Sequence, residues 1–121
     1  MTVLGVALAG AIGAVARFLV DRSVSARSSS ALPVGTMSVN VVGSFVLGLI
    51  VGLAPERLAD EPWAVVLAVG FCGAFTTFST FAVETVRLAS TAPRRATVNV
   101  GLSVGLGLAA AALGLLVGTS L

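Results

Sequence analysis

Four long apolar runs alternate with short polar stretches along the chain, and this alternation predicts four membrane-spanning helices in a single domain over residues 1–121. The predicted helices cover about residues 2–20, 35–53, 63–88 and 96–121. The first connection, 21–33, is rich in Ser and ends at Pro33, which marks it as a loop. The second, 54–62, holds Pro55, Glu56, Arg57, Asp60 and Glu61 and belongs in water. The third, 90–95, turns around Pro93. Trp63 opens the third run at the expected interface, where an amphipathic indole belongs. That run is too long for an uninterrupted crossing of a ~30 Å hydrocarbon core, which needs roughly 20 residues. A break within 73–77 resolves the excess.

Polar positions inside the runs are few and patterned. Thr36, Asn40 and Ser44 recur at helical spacing and form one polar stripe on the second run. Asn99 and Ser103 repeat the spacing on the fourth. The Asn40 stripe reads either as an interhelical hydrogen bond that aids packing or as a donor facing a polar cavity. Residues 70–84, GFCGAFTTFSTFAVE, are the least helix-like part of any run. Gly70 and Gly73 meet hydroxyls at Thr76, Thr77, Ser79 and Thr80, interleaved with Phe71, Phe75, Phe78 and Phe81. Backbone that leaves the helix at membrane depth persists only where protein or a water-filled cavity satisfies it, so this stretch marks a site.

Glycines at 5, 10 and 13, at 48 and 52, and at 105, 107, 114 and 118 give the helices small faces for close packing. Gly48 and Gly52 form a GxxxG pair, a weak signal in a glycine-rich chain. The first run could be taken for a secretory signal, because Ala14-Val15-Ala16 resembles a cleavage site. No positive residue precedes it, however, and three further runs follow, so it is expected to remain a span.

Composition agrees with the pattern. The chain is 57% hydrophobic and 10% charged, with mean hydropathy +1.10, more apolar surface than a soluble domain of this size can bury. A multi-pass protein of the plasma (inner) membrane is expected, with the lipid bilayer as its solvent. The single cysteine, Cys72, has no intrachain partner, and histidine is absent. The net charge of +2 rests on arginines that flank the apolar runs instead of forming a nucleic-acid patch. With four spans, Arg57 stands alone on one side, while Arg17, Arg22, Arg27, Arg87, Arg94 and Arg95 share the other. The 21–33 and 90–95 loops are therefore expected in the cytoplasm and both termini outside.

No catalytic constellation is present, so an enzyme is not expected. Neutral donors at Asn40, Ser44, 76–80, Asn99 and Ser103 beside phenyl rings suit a permeating anion, since they replace hydration without trapping the ion. Ring edges carry partial positive charge and can face a small anion too. Phe78 and Phe81 share a helix face, an arrangement that ordinary packing also explains. A small multidrug-type proton-coupled exporter has similar size, but it calls for an acid in the first helix, and residues 2–20 hold none. A non-transporting membrane assembly subunit would explain the glycines but not polar stripes on three helices.

The residues that carry a family likeness cover nearly the whole chain in order. GAIGAVARF at 10–18, Pro33-Val34-Gly35-Thr36, the run from Val39 to Phe45 and GFCGAFTTFSTFAVE at 70–84 together resemble the Fluc (CrcB) fluoride channels. The resemblance implies an all-α integral membrane protein with four transmembrane helices per subunit, the third broken near its middle, assembled as an antiparallel dimer with two pores. It implies passive export of fluoride. By position, Asn40 would be the pore amide, Phe78 and Phe81 ring-edge ligands, and Ser79, Thr80 and Ser103 parts of a polar track. Glu84 would lie near a pore end. The carbonyls of Gly73 and Thr76, with those of the second subunit, would hold a structural Na⁺ at the dimer centre.

Two features depart from that family pattern. Asn99 stands where the family usually has Tyr, and the chain has no Tyr at all. The six-to-one arginine bias is also unusual for a chain that must insert both ways to pair with itself. It suggests one fixed orientation and a partner that is an oppositely biased paralogue instead of the same chain.

Overall fold

The computed structural model describes residues 1–54, 56 and 58–121; Pro55 and Arg57, both in the expected loop at 54–62, lie outside the described residues. Among the described residues the chain is helical, without strands. Helix α1 covers Thr2–Arg27 and α2 covers Val34–Leu53. The third span, Pro62–Thr91, consists of two limbs: α3 over residues 62–75 and α4 over Ser79–Thr91. Helix α5 covers Pro93–Ser120. Among the described residues four spans are long and apolar enough to cross a membrane, as the hydropathy pattern predicts.

Two boundaries differ from the sequence expectation. Helix α1 continues through 21–27, so the first connection shrinks to 28–33. Nothing in 21–27 breaks a helix, and local contacts favour one. Ser25 Oγ donates to Asp21 Oδ1 at 3.3 Å, and the Arg22 guanidinium lies 5.9 Å from the Phe18 ring centre. The chain leaves the helix at Ser28 (φ −111°, ψ 138°). The hydroxyls of Ser28 and Ser30 then accept the N–H groups of Ser30 and Leu32, turning the chain towards Pro33. The third connection is shorter still: Ala92 alone separates α4 from α5, and Pro93 starts α5 where its missing N–H costs no bond.

Glycine contacts fix the closest helix pair, α2 against α5. A Cβ on Gly52 would lie 2.6 Å from the Leu115 carbonyl oxygen and 2.8 Å from Gly118 Cα. A Cβ on Gly118 would lie 2.5 Å from the Leu49 oxygen, and Gly48 and Gly114 face Ala111 and Phe45 backbone in the same way. The Gly48/Gly52 pair is therefore a true packing face, whereas Gly101 and Gly105 meet no neighbour within 4 Å. Helix α1 packs on α3 through Gly5 against Val66 and Gly13 against the Phe71 carbonyl. Replacing Gly52 with Val would force α2 and α5 apart. It is expected to cost about 1–3 kcal/mol, seen as an earlier loss of monodisperse protein on heating in detergent.

The third span does not follow ordinary helical geometry before it breaks. Residues Val66–Cys72 form a wider helix, and the Gly73 N–H reaches back to the Ala68 carbonyl. The break itself falls at residues 76–78, overlapping the C-terminal end of the expected window. Thr76 is extended (φ −86°, ψ 160°). Its hydroxyl donates to the Cys72 carbonyl at 2.9 Å, the local bond by which Ser and Thr compete with helix continuation.

Candidate functional site

The break exposes backbone groups that other elements satisfy, and those partners define the site. Asn40 on α2 clamps Thr77 with both ends of its carboxamide: Nδ2 donates to the Thr77 carbonyl at 2.9 Å. In return the Thr77 N–H donates to Asn40 Oδ1 at 2.8 Å. Gly43 makes this approach fit, since a Cβ there would meet Phe75 Cδ1 at 3.3 Å and overlap the Thr76 methyl. On the other flank, Arg17 of α1 donates Nε to the Ala74 carbonyl at 3.0 Å. The break explains this partner, because Ala74 has lost the helical N–H four residues on. The Thr77 hydroxyl accepts the Thr80 N–H at 3.2 Å and so caps the start of α4.

Among the described residues no hydrogen bond reaches the break's carbonyls at Gly73, Phe75 and Thr76. The Thr77 N–H that would reach Gly73 goes to Asn40, and the Thr80 N–H that would reach Thr76 goes to Thr77. Neutral carbonyl oxygens of this kind fit a hard cation such as Na⁺.

Beside the clamp lies a cavity of about 380 Å³ whose lining includes Asn40, Ser44, Cys72, Gly73, Thr76, Thr77, Phe78, Phe81 and Ser103. Among the described residues no Asp, Glu or Arg lines it. The four phenylalanines of 70–84 divide into two pairs. Phe71 and Phe75 stack at 5.4 Å and 12°, with Phe75 buried. Phe78 and Phe81 stand 5.9 Å apart, tilted by 51°, on the cavity wall. Phe78 is 79% exposed on the single subunit, so part of this wall faces outward.

Hydroxyls that the sequence offers as donors have mostly spent their hydrogens within the protein. Ser44 donates to the Asn40 carbonyl at 2.7 Å, Thr76 to Cys72, and Thr77 to Thr80 Oγ1 at 3.1 Å. Ser103 donates to Asn99 Oδ1 at 3.5 Å. The second N–H of Asn40 is the cavity's one side-chain amide or hydroxyl donor without an acceptor among the described residues.

The structure thus brings Asn40, Phe78, Phe81 and Ser103 to one cavity. Ser79 and Thr80 lie beside it on the first turn of α4, within hydrogen-bonding distance of Thr77 Oγ1. Glu84 accepts a 2.6 Å hydrogen bond from the buried Thr36 hydroxyl, which joins α4 to the start of α2. Sequence reasoning did not find the Arg17–Ala74 bond or Thr85, which bonds Asn99. The roles of Arg17 and Thr85 depend on residues 57 and 14 positions away, respectively.

Fold and site together define a small multi-pass membrane protein whose third span breaks beside an uncharged, aromatic-walled cavity. The chain belongs to the CrcB-like protein family (Camphor Resistance, CrcB), whose profile matches residues 4–115. Similar curated proteins include "Fluoride-specific ion channel FluC 1" of Leifsonia xyli subsp. xyli, 44% identical over 98% of this chain and 87% of the relative. "Fluoride-specific ion channel FluC 2" of Cutibacterium acnes is 47% identical over 98% of each chain. "Fluoride-specific ion channel FluC 2" of Mycobacterium tuberculosis is 48% identical over 92% of this chain and 86% of the relative.

Proposed function

We propose that this protein is a fluoride-specific ion channel subunit that lets fluoride leave the cell passively across the plasma membrane. The observation that carries the reading is the free Asn40 N–H, held at a helix break in an uncharged cavity beside the tilted Phe78 and Phe81 rings. A small hydrated anion needs donors and positive ring edges to replace its water, yet no fixed cation that would hold it. The names of its relatives, nearly coextensive with this chain, support the same reading and describe channels, not enzymes. A proton-coupled exporter fits less well, because no carboxylate lines the cavity among the described residues.

The functional unit in this reading is an antiparallel pair of subunits. Phe78 is mostly exposed on one subunit, so a second would complete the wall. Gly73 and Thr76 carbonyls, with those of the second subunit, would hold a structural Na⁺, which supplies positive charge at the dimer centre and is not transported. Replacing Na⁺ with N-methylglucamine is then expected to shift the detergent-solubilised protein from dimer towards monomer, as native mass measurement would show. An unchanged mass would remove the ion from the assembly.

The partner is read as a paralogue of opposite orientation. Arg22, Arg27, Arg87, Arg94 and Arg95 are all exposed and belong to one end of the four-span arrangement. Their opposite number, Arg57, lies outside the described residues. Topology mapping of the chain expressed alone is expected to give one orientation, with the 28–33 loop in the cytoplasm. Equal populations of both orientations would restore a homodimer.

Fluoride efflux from liposomes tests the whole proposal, first with this chain alone and then with a neighbouring paralogue. Fast efflux that excludes chloride is expected in at least one case. In that conducting assembly, Phe81→Ile is expected to slow efflux by about tenfold, the scale of one aromatic interaction. Silence in both preparations would favour a non-transporting assembly role.

A further inference from the structure

Ser103 stands on the cavity wall with its hydrogen directed elsewhere, and the cause lies in a one-way chain of hydrogen bonds behind it. Thr85 Oγ1 lies 2.7 Å from the Phe81 carbonyl oxygen, which can only accept, so the Thr85 hydrogen is spent there. Asn99 contacts the same Thr85 oxygen at 3.0 Å. With that hydrogen spent, the contact requires a donor, and the carboxamide must turn Nδ2 towards Thr85. Its Oδ1 then faces Ser103 Oγ at 3.5 Å, and an amide oxygen only accepts, so Ser103 donates. Asn99 is 0% exposed, which leaves no water to reverse the order.

We propose that Asn99 is a positioning residue that withholds the Ser103 hydrogen from an anion in the cavity. While the chain is intact, Ser103 meets the anion with lone pairs. It becomes a ligand only when its bond to Asn99, longer than either other link, gives way. The α5 wall is thus a conditional donor, in contrast to the permanently free N–H of Asn40. Every atom in the argument belongs to this chain, but its effect on transport rests on the fluoride-channel reading.

Fluoride efflux of Ser103→Ala, measured in three backgrounds of the conducting assembly, tests the proposal. In the otherwise unchanged protein the substitution is expected to have the smallest effect of the three backgrounds, because the lost hydrogen was already committed. In the Asn99→Leu background Ser103 is released, and the same substitution is expected to slow efflux about fivefold, the worth of one ordinary hydrogen bond. Thr85→Val provides an independent background should Asn99→Leu fold poorly. It removes the oxygen that orients the carboxamide, so Asn99 can turn its Nδ2 to Ser103, and the same fivefold dependence is expected. A general structural defect would not make the effect of Ser103→Ala depend on background. Equal losses in all backgrounds, or no loss in any, would overturn the proposal while leaving the channel reading intact. Absence of efflux from every assembly, unsubstituted protein included, would overturn the channel reading itself and the proposal with it.

Discussion

Asn40→Asp is expected to abolish fluoride efflux, by at least about a hundredfold, while leaving the subunit folded. Two effects act together. Aspartate keeps an oxygen for the Thr77 N–H, so half of the clamp survives, but it has no N–H for the Thr77 carbonyl or for an anion. It also places a fixed negative charge on an uncharged cavity wall. At an effective dielectric constant near 20, like charges about 4 Å apart repel by about 4 kcal/mol, and each ~1.4 kcal/mol is worth a factor of ten. Repulsion alone therefore exceeds the predicted loss. Liposome efflux gives the effect, and gel filtration with circular dichroism checks the fold. A folded Asn40→Asp protein that still conducts would take Asn40 out of the anion path and leave it as a brace.

Loss of Arg17 is expected to weaken the break from its other side. The guanidinium supplies the hydrogen bond that Ala74 lacks because the helix stops short of it. A charged donor to a partly buried carbonyl is worth about 1.5–3 kcal/mol, and an unsatisfied carbonyl inside the membrane is costly as well. Arg17→Leu should therefore lower the thermal midpoint in detergent. Arg17→Lys, which retains a charged donor but sets it one bond farther out than Nε, should recover part of the difference. Equal midpoints for all three proteins would mean that Arg17 only anchors α1 at the headgroups. Arg17 lines no part of the cavity, so any change in conduction should follow the change in stability.

How much of this was legible in the sequence varies by element. The four spans follow from apolar run length, and a break follows from a third run too long for one crossing, although it lies at 76–78 and meets only the end of the expected 73–77 window. The wide turn at Val66–Cys72 has no such mark, because its residues are as apolar as their neighbours and contain no proline. The extension of α1 escaped notice for the opposite reason. Residues 21–27 are polar, and polarity says that they leave the membrane but not that the helix ends. Hydrogen-bond direction is the least legible property. Ser44 and Thr76 look like donors in the sequence, but each gives its hydrogen to a carbonyl four residues back. Only the arrangement of partners shows that, among the cavity's described side chains, Asn40 alone keeps an uncommitted N–H.

The single-residue corner at Ala92 makes α4 and α5 one mechanical piece whose register is set by counting. An α-helix advances about 100° per residue. One inserted residue between Thr91 and Pro93 would swing Asn99 to another side of α5 and part it from Thr85. It would also move Gly114 and Gly118 off the face that meets α2. The 28–33 connection has slack and carries no cavity residue. Insertions, epitope tags and evolutionary drift in chain length should therefore be tolerated at 28–33 and excluded at 92, so that the serviceable place to label this protein is its first loop.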